Sequence, residues 1–180
     1  SILSKKLAAG ATHCIIDVPL GPNAKVRSGT DAKNLHDLFL YVGEALGLHV
    51  EVRLTDGSAP IGNGIGPALE ARDVVSVLQN EVGAPGDLRD KALSFASSIL
   101  AFDPSVSNAE AAIRACELLD SGAAWETFER MCTQQGPPPE ETEIGRHTVT
   151  IVADTYGTVD FIDCFALATI ARAAGAPVDK

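Results

Sequence analysis

Two short apolar runs, HCIIDV at 13–18 and VEVRL at 50–54, most constrain what this chain can fold into. HCIIDV is continuous and rich in aliphatic side chains, which reads as a buried strand of a parallel sheet. VEVRL reads as a second strand. Between them lies a loop punctuated by Gly21, Pro22, Asn23 and Gly29. A helical pattern follows, in which Leu35, Leu38, Phe39, Val42, Leu46 and Leu48 recur near the 3.6 period. Thr30 is the expected cap of that helix and Gly47 its end. Strand, helix, strand in this order predicts an α/β fold: a central sheet of mostly parallel strands flanked by helices.

The flanking segments extend the same reading. Ser1 to Ala9 reads as the end of a helix, closed by Gly10 and entered in its middle. Thr55 to Gly66 is a Gly/Pro loop, and Pro67 opens a helix running to about Gln79. Further helices are expected at about Gly86 to Phe102, Ser107 to Asp120 and Ala123 to Gln134. The stretch QQGPPPEETEIG then reads as a linker. His147 to Ala153 alternates and is rich in Thr and Val, so a strand is expected. Gly157 turns the chain into TVDFI, the second strand of a hairpin, and Asp163 precedes a short helix from Phe165 to Ala173. Two strands do not make an independent domain. The expected organisation is therefore residues 1–135 as part of a central α/β domain, 136–146 as linker, and 147–180 as the start of an α+β C-terminal domain.

Composition excludes several classes. The formal net charge is −10, so a phosphate backbone would repel the chain and nucleic acid is not an expected partner. The most apolar runs, ASSILAF and TVTIVA, fall far short of the roughly 20 residues that span a bilayer. No membrane association and no secretory signal are expected. Cys14, Cys116, Cys132 and Cys164 form no CxxC pair, and each lies in an apolar context. Reduced thiols of this kind fit a cytoplasmic protein. His13, His36, His49 and His147 are dispersed, without a second ligand at metal spacing.

Three places could carry chemistry. Ser1 and Lys5 stand four apart, on one face of a helix, and offer hydroxyl and ammonium donors to the oxygens of a small ligand. On spacing alone, a solvated lysine beside a serine is the plainer reading. The loop DVPLGPNAK follows the first strand and offers Asp17 and Lys25 with backbone amides between them. Open α/β sheets bind ligands at that end of their strands. The stretch from Leu54 to Asp73 also follows a strand and opens a helix. Gly62 and Gly64 are spaced like a dinucleotide fingerprint, but Gly66 falls one residue early for GxGxxG. That helix start could attract an anion, or its loop carbonyls could fix a cation. The acidic cluster of Glu140, Glu141 and Glu143 reads as a solvated connection.

The segments SILSKKLAAGATHCIIDVPLGPNAKV and LTDGSAPIGNGIGPALEARDVV resemble the thymidine/pyrimidine-nucleoside phosphorylases. RHTVTIVADTYGTVDFIDCFALATIARAAGAPVDK resembles the start of that family's C-terminal domain. The resemblance runs in order along essentially the whole chain, and covers the middle of such an enzyme. The family's N-terminal helical, phosphate-binding domain has no counterpart here, so the isolated chain is expected to be inactive.

The resemblance implies a pentosyltransferase. Phosphate, the co-substrate, attacks the anomeric carbon of a nucleoside, and the pyrimidine base departs to leave a sugar 1-phosphate. No further cofactor is implied. Ser1 and Lys5 match the positions that hold the base, with Lys5 as the catalytic cation. The loop reads LGPNAKV where typical thymidine phosphorylases resemble VGSGAFM. This is similar to the type 2, AMP-phosphorylase-like branch, in which a lysine matching Lys25 contacts the nucleotide. Ile61, Gly64 and Asp73 match positions of a structural potassium site, with Asp in place of the usual Glu.

A homodimer is expected, by the same resemblance. Two other readings stay open. One is an AMP or other nucleotide phosphorylase that releases ribose 1,5-bisphosphate. The other is a non-catalytic binding or dimerisation module.

Overall fold

Helix α1 (Ile2–Ala8) stops at Gly10, whose φ of +81° is a left-handed backbone that glycine adopts without a Cβ penalty. The Gly10 N–H donates to the Leu7 carbonyl at 2.9 Å and the Ala11 N–H to the Lys6 carbonyl at 3.1 Å, so the last turn is closed before the chain reverses. Strand β1 (His13–Leu20), helix α2 (Gly29–Ala45) and strand β2 (His49–Asp56) follow. The strands pair in parallel, with His13 opposite His49 and Leu20 opposite Asp56. The expected α/β arrangement is therefore present, as a two-stranded parallel sheet flanked by helices among the described residues. The structure is a computed structural model and describes residues 2–136, 145 and 147–176.

The chain divides into two compact units, Ser1–Pro60 with Leu93–Ile113, and Ile61–Ala92 with Arg114–Lys180. In the first unit the core is Leu3, Ile16, Val18, Phe39, Leu48 and Val50, all buried. Ile16 and Val18 are two apart on β1 and share a face. Phe39 comes from the inner stripe of α2. Leu3 brings α1 into this core. The cap of α2 is Ser28, not Thr30. Ser28 is extended (φ −122°, ψ 149°), its Oγ accepts from the Asp31 N–H at 3.0 Å, and it donates to Asp31 Oδ2 at 2.7 Å. That reciprocal pair places Thr30 inside the first turn.

Helices α3 (Pro67–Leu78), α4 (Gly86–Leu100), α5 (Asn108–Asp120) and α6 (Ala123–Gln135) lie within two residues of their expected bounds. In the second unit Asn80, at φ 55°, closes α3 and its side-chain amide donates to the Leu119 carbonyl at 2.9 Å. Arg89 pairs with Asp120 at 2.5 Å. Helix α7 (Cys164–Ala173) is capped by Asp163, whose Oδ1 accepts from the Phe165 and Ala166 N–H groups at 3.0 Å. None of the four cysteines is in a disulfide, and Cys132 is exposed rather than packed away.

The hairpin expected after residue 146 does not form. Residues 147–163 carry neither strand nor helix, and Val149, Ile151 and Val159 stand in solvent. Alternation specifies a strand only when one face has something to pack on and the edges have partners, and an isolated hairpin has neither. Of the expected linker 136–146, residues 137–144 and 146 lie outside the described residues.

At the start of α5, Glu110 accepts from the Ser107 N–H at 2.9 Å and from its hydroxyl at 2.8 Å. The backbone bond first, then the hydroxyl, hold its carboxyl below the ordinary 4.5. A lowered folded value stabilises above the unfolded pKa and is lost as pH falls through the folded one. Urea midpoints measured from pH 6 downward should therefore fall less steeply below pH 4.5 in Glu110→Gln than in the parent chain.

Candidate functional site

The polar loops of the first unit gather where β1 and β2 end. After Leu20 the chain makes a tight loop. The Gly21 N–H donates to the Val26 carbonyl at 3.2 Å, the Ala24 N–H to the Gly21 carbonyl at 3.1 Å, and Arg27 Nε to the Ala24 carbonyl at 3.2 Å. Lys25 stands exposed in this loop. The end of β2 is fastened beside it, with the Gly57 N–H donating to the Leu20 carbonyl at 2.8 Å. Thr55 Oγ1 donates to Asp17 Oδ1 at 2.6 Å, locking the two strands just below the loops. Asp56 is held below the usual carboxylate range by the Ser58 hydroxyl and then the Ser58 N–H, the latter donating at 2.8 Å.

The face of the sheet that carries Asp17 and Thr55 also carries Arg53, in register with Asp17. Its Nε donates to Glu51 Oε1 at 2.6 Å and its Nη1 to the Ser94 hydroxyl at 3.0 Å and carbonyl at 3.2 Å. Nη2 donates to the Ser98 hydroxyl, and the guanidinium lies 5.3 Å from the Phe95 ring centre. The planar fork of Arg is suited to holding several partners at once. Sequence reading passes over Arg53 because Ser94 and Ser98 lie more than 40 positions away. VEVRL by itself signals only a strand.

Lys5 lies on α1 with its side chain in solvent, two residues from buried Leu3. Ser1 lies outside the described residues. Leu3 belongs to the same core cluster as Ile16 and Val18 of β1. Lys5 and Lys25 belong to the same compact unit.

In the second unit the glycine loop is gripped by carboxylates through its amides. Asp73 Oδ2 accepts from the Asn63 and Gly64 N–H groups, both at 2.7 Å. Asp87 Oδ2 accepts from the Gly62 N–H at 3.0 Å and Glu70 Oε1 from the Gly66 N–H at 2.9 Å. A Cβ at Gly62 would stand 2.7 Å from Asp73 Oδ2. Of the expected set Ile61, Gly64 and Asp73, the loop thus brings Gly64 and Asp73 together, and Ile61 is 40% exposed beside them. Asp87 and Glu70 are partners that sequence reading does not single out. Amides given over to carboxylates make this loop a poor cradle for an anion.

These features define an α/β protein with its polar loops at the carboxyl end of parallel strands, the end at which such sheets take small molecules. No protein-family model matches the chain. Over all 180 residues it is 52% identical to a protein of Bradyrhizobium sp. named "Putative thymidine phosphorylase", and covers 35% of that protein. It is 50% identical, over the same 180 residues and 35% of the relative, to a Rhodopseudomonas palustris protein of the same name. It is also 53% identical over 178 residues to a Cupriavidus pinatubonensis protein named "Bifunctional ribose 1,5-bisphosphokinase-thymidine phosphorylase", covering 30% of it. Along its whole length the chain is thus about half identical to proteins named for thymidine phosphorylase. It spans about a third of the length of the curated relatives it matches. Among the described residues, no helix is long and apolar enough to cross a membrane.

Proposed function

We propose that the protein is a nucleoside phosphorylase acting on thymidine or another pyrimidine nucleoside. A phosphate oxygen forms a bond to C1′ of the sugar as the bond from C1′ to the base nitrogen breaks. The products are free base and sugar 1-phosphate. The electron pair of the broken bond leaves with the base, so negative charge grows on the pyrimidine. A cation set against that charge is worth more in the transition state than in the ground state. Lys5 takes this role, with Ser1 as a hydroxyl donor to the same base. The observation that carries the reading is identity of about half along the entire chain with proteins of that name. The enzyme works as a cytoplasmic homodimer. The Ile61 and Gly64 carbonyls and the Asp73 carboxylate would hold a structural potassium ion, being oxygen ligands of the kind a hard cation prefers.

The test is incubation of the full-length protein with phosphate and, separately, thymidine, uridine, AMP and CMP, with free base followed by chromatography. Release of thymine or uracil from the nucleosides supports the proposal. Nucleoside binding without base release would point to a binding module instead.

A second reading, release of base from nucleoside 5′-monophosphates, is favoured by one observation. A relative carries, in its name, a ribose 1,5-bisphosphokinase beside the thymidine phosphorylase. Ribose 1,5-bisphosphate is what phosphorolysis of a ribonucleoside 5′-monophosphate yields. Lys25, exposed in its loop, would then hold the 5′-phosphate. A charge-assisted bond of this kind contributes about 1.5–3 kcal/mol, so Lys25→Ala should lower kcat/KM for AMP by about 10- to 100-fold and leave thymidine turnover alone. Equal effects on both substrates would remove the distinction.

A further inference from the structure

We propose that His13 and His49 form a two-histidine clip for a zinc ion at the starting end of the parallel sheet. The two residues are register partners on adjacent strands, so their side chains leave the sheet on the same face. Their ring centres stand 5.2 Å apart. Two imidazoles bound tetrahedrally, with each nitrogen at about 2.0–2.1 Å from zinc, have ring centres about 5 Å apart. The pair therefore stands at chelating separation with its backbone as it is.

Three further contacts fix the arrangement. The Thr12 hydroxyl lies 3.0 Å from His13 Nδ1, the kind of bond that orients a metal-binding imidazole and leaves Nε2 to ligate. The His49 N–H donates to the Thr12 carbonyl at 3.0 Å, tying the two strand starts together. Phe102 forms an apolar wall, its ring centre 5.0 Å from that of His13 and 5.4 Å from that of His49. Both histidines are exposed, so an ion has a path in. Among the described residues there is no group of three or more His, Cys, Asp or Glu able to hold a metal. Water therefore completes the shell, and the clip is an exchangeable site that fastens β1 to β2. It uses no residue of the proposed phosphorolysis, whose loops lie at the other end of the strands.

The test is calorimetric titration of the full-length protein with zinc chloride, alongside thermal melting with and without the metal. One equivalent per chain is expected to bind through the clip, with a rise in melting temperature. His13→Phe and His49→Phe keep a ring against Phe102 and should each abolish that equivalent and the rise. Thr12→Val should weaken binding by about tenfold or more. Absence of saturable zinc uptake, or equal uptake by the parent and both phenylalanine variants, would overturn the proposal.

Discussion

Lys5→Ala in the full-length protein is expected to lower kcat for phosphorolysis by about 10²- to 10³-fold, the loss seen when one donor to a developing anion is removed. The reasoning rests on where charge moves. The base is neutral in the bound nucleoside and anionic as it leaves, so an ammonium at its edge acts mainly on the transition state. Lys5 is exposed on α1, and its neighbour toward the core, Leu3, makes the buried contact. Folding should therefore be untouched, with the urea midpoint shifted by no more than about 0.5 kcal/mol in stability. Lys5→Arg restores charge on a bulkier, planar group and should recover only part of the rate. Steady-state kinetics separates the alternatives. A raised KM with unchanged kcat would mean that Lys5 binds substrate and transition state equally, and would remove it from the catalytic step.

The second large effect is on stability. Gly21→Ala should destabilise the protein by about 3 kcal/mol, read as a drop in urea midpoint. A Cβ at this position would lie 2.3 Å from the Gly57 carbonyl oxygen, 2.4 Å from its carbon and 2.7 Å from the Ser58 nitrogen. All three atoms are backbone, so no side chain can rotate out of the way. Relief requires the ends of β1 and β2 to separate. That breaks the bond from the Gly57 N–H to the Leu20 carbonyl and loosens the Thr55–Asp17 bond below it. Gly29→Ala is the control, because a Cβ there meets nothing within 4 Å. A midpoint as high in Gly21→Ala as in Gly29→Ala would show that the strand ends yield more easily than their spacing implies.

Much of the fold is legible from local pattern. HCIIDV and VEVRL mark both strands, and the recurrence of Leu35, Phe39 and Val42 marks the helix between them, because side-chain period is a property of the chain itself. The α2 cap is a near miss. Ser28 and Thr30 are both capping residues by type, and the carboxylate of Asp31, three residues after Ser28, selects the former. The candidate site is legible in part. Lys25 and the glycine loop stand out as residues after strands, whereas Arg53, Asp87 and the Thr55–Asp17 bond do not.

What the sequence by itself determines here is the order and kind of elements and the proteins that the chain resembles. Tertiary structure decides the rest. It pairs His13 with His49, sets Gly21 against Gly57, and turns Asp73, Asp87 and Glu70 onto the amides of the glycine loop. It also leaves the alternating run after residue 146 unpaired. Periodicity is local and survives in any environment. A hydrogen bond between residues tens of positions apart, or a strand's choice of partner, exists only once the backbone has brought the two groups together.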